Sequence, residues 1–505
     1  MRPIRLIAVA ALAVPLLAVP TAAATAQDAP ASVAAASPLP FDLPSRDVLE
    51  ASGKKVFAHY FTQFRISVDN KDGASDYYVN EYLNPKGEDY QKDTDGDGVP
   101  DTTVYPHEAY GGYLRDRPLP RGVLPGDWQY ADAVTEVTRA VQAGLDGFTV
   151  DLLSVNQTSY HWQTLLRLMK AAKQVDPDFK IVIMPDMNAG TIKSLTPVQL
   201  ADAISPLFKD ASTYRLTDGR LVVAPFKAEN HDAAWWTSFK TEMANKYAEN
   251  VALVPFTLNF NATFDKLKSV AYGFSEMEYG TPALQDSLPT KIATAHNAGV
   301  KFMASLSPQD SRPSQGNYYE ANNSENLRRG WTKAIDGGAD WVQLMTWNDY
   351  SENHQFSPSV RNGGVWLDLS SYYLTRFKTG AYPAIVRDVT YLVHRNQFAA
   401  AKPSSGTQTK FQVVRANGGT PRDSVEVLTF LKAAATVTPT IGGKAAAAYS
   451  APAGVTSKLF PLAYGLNSAV VARSGVTVCT ATSPWEVKSQ FTVQDMLYSA
   501  VSSSR

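Results

Sequence analysis

Residues 341–354 read WVQLMTWNDYSENH. The opening positions form an apolar run that suits a strand buried on both faces. From Asn348 onward the chain turns polar: amide, acid, phenol, hydroxyl, acid, amide and imidazole follow in succession. In a barrel of parallel strands, reactive groups gather at the strands' C-terminal ends. The stretch therefore reads as a buried strand that delivers a site.

Seven similar runs precede it: VFAHYF (56–61), GFTVDLL (147–153), KIVIMPDMN (180–188), LVVAPFKAEN (221–230), VALVPFTLNF (251–260), VAYGFSEMEY (270–279) and VKFMASLSPQD (300–310). They are continuous rather than alternating, as parallel strands covered on both faces are. Helical patterns lie between them, such as YADAVTEVTRAVQAG, YHWQTLLRLMKAAKQV and ENLRRGWTKAIDGG. Thr196-Pro197 opens one helix, and Gly144, Gly299, Gly337 and Gly380 close others. Eight strand–helix repeats predict a (β/α)8 TIM barrel over residues 49–385, with an open doubly wound sheet as the alternative. Residues 62–127 make an unusually long connection after the first strand, placed to shape or cover the cleft. Beyond 385 the runs VTYLVHR, TKFQVVRA, SVEVLTFLKAAATVTPTI and AVVARSGVTVCTA are separated by turn formers, which predicts a smaller all-β, sandwich-like domain over 386–505.

The first 26 residues have the form of a secretory signal peptide. Arg2 and Arg5 precede an apolar stretch from Ile4 to Val19, and Ala24-Thr25-Ala26 offers a cleavage site. The stretch is too short, and too interrupted by Pro15, for a membrane span. Residues 27–48 read as a disordered Ala/Pro/Ser leader. A secreted protein with no membrane attachment after cleavage is expected. Of 505 residues 44% are hydrophobic, enough for a large core, and the net charge of −1 implies no nucleic-acid partner. The single cysteine, Cys479, excludes an internal disulfide and reads as a small core residue. Nothing in the sequence bears on oligomerisation, and a monomer is assumed.

Within the long connection lies DTDGDGVPD. Asp93, Asp95 and Asp97 occupy alternate positions of a calcium-loop pattern, Gly98 takes the turn, Val99 can offer its carbonyl and Asp101 a further carboxylate. The acidic residue that would complete an EF-hand is replaced by Val104, so Glu108 or a distant residue would have to complete the shell; the repulsion between four neighbouring acids still points to a structural Ca2+, without a catalytic part, with a solvated acidic turn as the alternative.

Strand ends carry many acids: Asp151, Asp186, Glu229, Glu276, Glu278, Asp310, Asp349 and Glu352, with His59 in the first strand. Like charges gathered at one rim titrate, pair or bind something. Zinc spacing, a Gly-x-Ser-x-Gly elbow and a phosphate loop are all missing from the sequence. Carboxylate chemistry remains, and in a secreted chain with 9 Trp and 24 Tyr it points to glycoside hydrolysis. That reaction needs two carboxyl groups, one to protonate the leaving oxygen and one to activate water or attack carbon. Asp349 and Glu352 are the expected catalytic pair, Asp349 as base and Glu352 as acid. A helix-capping box is the bland reading of their spacing, but no apolar helical run follows at once. His59, Tyr60, Asp151, Asp186, Trp347, Asn348 and Tyr350 are expected to line the cleft, the last three holding the sugar.

At these residues the chain resembles glycoside hydrolase family 71, the α-1,3-glucanases or mutanases. Val342–His354 is similar to that family's TWNDYGES stretch, and VFAHYF, GLDGFTVD and NLRRGWTKAI add to the likeness. The resemblance implies an inverting, endo-acting hydrolase of α-1,3-glucan, with Asp349 and Glu352 as the acid–base pair and Asp146 of the second-strand motif as a further substrate residue, although from its position near the start of that strand Asp146 also reads as a buried structural carboxylate. Ser351 and Asn353 depart from the family's Gly and Ser, and Asp151 replaces its usual Asn. The other readings are a hydrolase of another linkage and a non-catalytic glycan-binding protein.

Overall fold

The computed structural model describes residues 39–89, 105–277 and 280–505. Each of the eight apolar runs contains strand: β1 (Lys55–Phe61), β2 (Gly147–Leu152), β3 (Lys180–Pro185), β4 (Leu221–Val223), β5 (Val251–Leu253) and β6 (Phe256–Thr257) from a single run, β7 (Gly273–Glu276), β8 (Lys301–Leu306) and β9 (Trp341–Leu344). They form one nine-stranded sheet in the order β5-β4-β3-β2-β1-β9-β8-β7-β6, and every pairing is parallel. The two edge strands are consecutive pieces of the run 251–257. That run bonds along both flanks: Val254 N–H donates to the Val223 carbonyl, and Tyr272 and Ser275 N–H donate to the Leu253 and Pro255 carbonyls.

Helices follow the strands: α1 (Trp128–Gln142), α2 (Tyr160–Val175), α3 (Pro197–Ile204), α4 (Ala233–Tyr247), α5 (Phe260–Leu267), α6 (Leu288–Asn297), α7 (Glu325–Asp336) and α8 (Val365–Thr379). Their starts are written in the sequence. Asp127, Ser159, Asp232 and Asn259 each accept a hydrogen bond from the backbone N–H three residues on, and Thr196 forms a reciprocal box with Gln199. Such caps stabilise by about 1 kcal/mol each. Gly144 ends α1 at φ 88°, a left-handed conformation open to glycine at no steric cost. At the end of α7 it is Gly338, not Gly337, that takes the positive φ.

Strand residues alternate between two cores. Val56, Ala58, Phe148, Val150, Ile181, Ile183, Leu221 and Val223 pack against the helices. Their neighbours Phe57, Val182, Met184, Val222, Ala224, Val254, Phe256, Met303 and Trp341 form a second cluster that contains no helix residue. Each large apolar side chain so buried contributes about 1.5–3 kcal/mol. The period-two alternation of a strand thus assigns every side chain to the helix side or to the sheet's inner side.

Residues 39–48 are not the disordered leader expected. Phe41 is buried against Tyr372 and bridges Ile385, while Arg387 donates to the Leu39 and Phe41 carbonyls, the latter at 2.6 Å. One aromatic and two captured carbonyls suffice to dock this Pro-rich stretch. The described parts of the long connection pack Phe64, Tyr78, Tyr82 and Leu114 around Tyr350. The buried Asp116 carboxylate accepts from Gln355, Ser359 and the Arg361 N–H. The connection therefore braces the loop after β9.

After α8 come β10 (Val389–His394), β11 (Ser424–Leu431), β12 (Ala435–Ile441), β13 (Gly454–Pro461), β14 (Ser468–Arg473), β15 (Val476–Thr482) and β16 (Ser499–Ser502). One antiparallel sheet runs β13-β11-β10-β16 and a second contains β12-β14-β15. Leu392, Val425, Val427, Val437, Ala469 and Val471 join them in a shared core. The opposite face of the first sheet, with Tyr391, Val393 and Phe430, enters the main core. Residues 38–505 form one compact unit. A small sheet crosses it: Asp310–Arg312 pairs with Asn317–Tyr319, which pairs in turn with Val413–Val414. Cys479 is half-buried and unpaired.

Candidate active site

β3, β2, β1 and β9 lie side by side, so the groups at their C-terminal ends are neighbours. On β1 the helix side takes Val56, Ala58 and Tyr60; His59 therefore faces inward, its ring edge-on to Phe226 and Phe256 at 6.1 and 6.3 Å between centroids. On β2 the same alternation turns Thr149 and Asp151 inward, and Gln343 of β9 donates to the Thr149 hydroxyl at 2.9 Å. His59 Nε2 meets Asp151 Oδ2 at 3.2 Å. Asp186 follows β3, and one of its oxygens accepts the Asn188 N–H at 2.8 Å.

Beyond β9 the chain makes a tight turn rather than a helix. Asp349 Oδ1 accepts the Ser351 hydroxyl at 2.6 Å and the Ser351 N–H at 2.9 Å, and the Asp349 N–H donates to Thr346 Oγ1 at 2.6 Å. Asn353 continues the turn at φ 55°, a left-handed conformation that asparagine tolerates. The Asp349–Glu352 spacing thus makes a capped turn, and the next helix, α8, starts only at Val365. Glu352 Oε1 meets Arg312 Nη1 at 2.6 Å and Oε2 meets His354 Nε2 at 3.1 Å.

These acids differ in protonation. Burial pushes Asp151 well above the ordinary carboxylate range, and the charge of Asp349 adds to the effect. Burial and the Asp151 charge push Asp186 up to about 8, against the opposing effects of the Asn188 N–H, His59 and Lys227. Burial acts upward on Asp349 too, but contact with His354, the Ser351 hydroxyl and the charge of Arg312 together outweigh it and hold the group below the usual range. The surroundings of these acids thus pull in opposite directions, upward at Asp151 and Asp186 and downward at Asp349, which is how a site separates acid from base. One atom each of Asp349, Glu352 and His354 lies within 4.8 Å of the others, close enough to share a divalent cation, although a guanidinium already engages Glu352.

His59, Asp151, Asp186, Asp349 and Glu352 lie where the strand pattern places them. Five other expectations are corrected. Tyr60 points to the helix side and donates its hydroxyl to the buried Glu136. Trp347 is fully buried against Phe148, at 5.0 Å between centroids. Asn348 braces the backbone, accepting the Phe61 N–H at 2.8 Å and donating to the Phe61 carbonyl. Tyr350 lies in the aromatic cluster beneath the long connection. Asp146 precedes β2, accepts the Val56 N–H at 2.6 Å and pairs with the buried ammonium of Lys378 at 2.7 Å. Four strand residues lie between it and Asp151, five steps or about 16 Å of extended chain, so it serves the fold at the opposite end of the strands. Among the other strand-end acids, Glu276 pairs with Lys291, Glu229 accepts the Leu258 N–H and Asp310 pairs with Arg312. Glu278 and the 93–101 motif lie outside the described residues. Arg312 and His354 are the site members that the sequence reading missed. Asp310-Ser311-Arg312 directly after β8 was the available signal for the first.

Residues 125–499 match the model of Glycosyl hydrolase family 71. The chain belongs to that family. It is therefore a glycoside hydrolase rather than a non-catalytic glycan-binding protein. This family 71 chain is 24% identical over 393 residues to the mutanase Pc12g07500 of Penicillium rubens, covering 72% of this chain and 82% of that protein. It is 25% identical over 386 residues to the glucan endo-1,3-alpha-glucosidase agn1 of Schizosaccharomyces pombe, covering 69% and 85%. Among solved structures, the GH99 endo-alpha-mannosidase from Bacteroides thetaiotaomicron aligns at a TM-score of 0.49 and 14% identity, over 64% of this chain and 97% of that one. No helix among the described residues is long and apolar enough to cross a membrane.

Proposed function

We propose that this family 71 enzyme is a secreted, monomeric hydrolase of α-1,3-glucan that cuts within the polymer and inverts the anomeric centre. Asp349 and Glu352 are its catalytic pair, Asp349 the base. The observation that supports the reading is the gathering of Asp349 and Glu352 on one tight turn after β9, an oxygen of each within 4.8 Å of the other's, beside the strand-end acids Asp151 and Asp186 of the neighbouring β2 and β3. The linkage is supported by relatives named as a mutanase and an endo-1,3-alpha-glucosidase, and secretion by the basic–apolar–small pattern of residues 1–26. The sheet is taken as a closed (β/α)8 barrel over 49–385, with a sandwich-like domain over 386–505. The double-flanked run 251–257 and the helix-free inner core support closure. The acids of 93–101 are assigned a structural Ca2+, whose removal by a chelator is expected to lower Tm and leave the catalytic step unchanged in the folded enzyme.

In this reading the ionised Asp349 takes a proton from water as the water attacks the anomeric carbon. Glu352 gives its proton to the departing glucosyl oxygen. Inverting pairs stand about 6.5–9.5 Å apart to admit that water, whereas here an oxygen of each acid lies within 4.8 Å of the other's. The two carboxyl groups must then part as substrate enters. A second reading is favoured by the neutral state of Asp151, which makes it the proton donor and leaves Glu352 an anchored carboxylate.

The test is hydrolysis of a panel of α- and β-glucans, with products sized and their anomeric form followed by NMR. Internal cleavage of α-1,3-glucan with inverted product is expected; a preference for another linkage or a retained anomer rejects the proposal. Glucosides with an activated leaving group separate the two donors, because they need no acid. Selective recovery of Glu352→Gln on them supports Glu352, and selective recovery of Asp151→Asn supports the second reading.

A further inference from the structure

Glu352 does not stand alone at the rim. Its carboxylate is gripped by Arg312 at 2.6 Å, and Arg312 is held in a two-pronged pair by Asp310, with Nε to Oδ1 at 2.8 Å and Nη2 to Oδ2 at 2.7 Å. Asp310 is 1% exposed. A planar guanidinium held at both prongs by a buried carboxylate has little freedom to turn, so its Nη1 is held toward Glu352.

The backbone is tied as firmly. The Ser311 N–H donates to the Glu352 carbonyl at 2.8 Å, and Asn353 Nδ2 donates to the Ser311 carbonyl at 2.7 Å. The strand Asp310–Arg312 and the turn carrying both acids are thus joined by side chain and by main chain.

The support continues into the C-terminal part. Gln412 Nε2 donates to Ser311 Oγ at 2.8 Å and to the Asn317 carbonyl at 3.1 Å. Arg415 Nη1 lies 4.0 Å from Asp310 Oδ2, with its guanidinium over the Tyr319 ring at 4.9 Å. Val413–Val414 pairs in parallel with Asn317–Tyr319. A chain segment beyond α8 therefore reaches back to the strand that holds Arg312.

We propose that Arg312 is the positioning residue for Glu352, and that Asp310, with Gln412 and Arg415 of the C-terminal part, sets its direction and how much of its charge Glu352 feels. The proposal rests on Glu352 belonging to the catalytic pair. It makes the segment 412–415, beyond α8, part of the active site's support.

The charges give each substitution a sign. Asp310→Asn removes the neutralising partner, so more of the Arg312 charge acts on Glu352 and favours its ionised form. Arg312→Gln removes that charge. Arg415→Gln frees Asp310 to neutralise Arg312 more completely. Arg312→Lys keeps the charge and loses the fork.

The experiment is the pH profile of kcat and kcat/KM on a soluble α-1,3-glucan oligosaccharide, measured for wild type, these four variants, Gln412→Ala and Glu352→Gln. The pH limb of the cluster formed by Glu352, Asp349 and His354, the last 3.1 Å from Glu352, is expected to move to lower pH in Asp310→Asn and to higher pH in Arg312→Gln, by about one pH unit each. In Arg415→Gln it moves upward by less. Arg312→Lys keeps the limb near wild type with a reduced kcat, and Gln412→Ala reduces kcat without moving the limb. Should Arg312→Gln fail to fold, Asp310→Asn/Arg312→Gln, which removes both buried charges, takes its place and is expected to show the same upward shift. An inactive Glu352→Gln together with profiles of Asp310→Asn and Arg312→Gln that coincide with wild type overturns the proposal. An active Glu352→Gln overturns the catalytic reading beneath it.

Discussion

Asp146→Asn separates a structural acid from a substrate contact. Asp146 meets the Lys378 ammonium at 2.7 Å, and that side chain has no exposure to solvent. Lys55 lies 3.6 Å away, and Lys378 has one further partner, the Leu49 carbonyl at 3.0 Å. Removing one member of a buried pair leaves an uncompensated charge and costs about 3–5 kcal/mol. Asparagine can still accept the Val56 N–H, so the loss isolates the charge. Its pH dependence has a definite sign. Burial lowers Lys378 to about 8 while Asp146 opposes the fall; without Asp146 the lysine sheds its proton at lower pH still. A neutral amine beside an amide is no longer uncompensated, so the penalty is greater at pH 6 than at pH 9. Guanidinium unfolding at both pH values measures the cost, and kcat and KM on a soluble oligosaccharide measure the function of the folded fraction. The account expects a large loss of stability with unchanged kcat and KM. Wild-type stability with a raised KM would refute the placement of Asp146 and restore it to the cleft.

Trp347→Ala, measured by denaturant unfolding, should lose about 3–5 kcal/mol as a core substitution, while Trp347→Phe should fold and bind oligosaccharide as wild type does; a weakened affinity with wild-type stability would return Trp347 to the sugar site. Glu136, buried beneath Tyr60, is raised from 4.5 to about 8, mainly by burial. A carboxyl whose folded value is raised stabilises fully below its unfolded value, and that contribution disappears as pH rises through the folded one. Stability followed by thermal unfolding should therefore fall between about pH 4.5 and 8, less steeply in Glu136→Gln; an unchanged slope contradicts the assignment. Asp186 shares this sign, with its window ending at about 8, so Asp186→Asn should likewise flatten the fall.

What the sequence made legible follows from burial. Strands covered on both faces leave long apolar runs, so the place of each strand could be read, and Thr196-Pro197 announced its helix. Within a strand the alternation carries further information: if His59 faces inward, Tyr60 must face the helices. Past Leu344 that period stops. Trp347, Asn348 and Tyr350 took their directions from a tight turn and from packing against the long connection, which no spacing in the sequence encodes. Asp146 was placed by family likeness, and its partner Lys378 lies 232 residues away. Arg312 and Glu352 are 40 residues apart, and only the folded loop brings them together. The segment 39–48 looked unstructured by composition, yet one docked phenylalanine orders it.

The most direct test of the central claim is the rate of reducing-end release from α-1,3-glucan by Asp349→Asn and Glu352→Gln, with unfolding curves recorded on the same samples. The account predicts that each variant keeps the wild-type transition and loses about 10²–10⁴-fold in turnover. Turnover near wild type in either folded variant would contradict it.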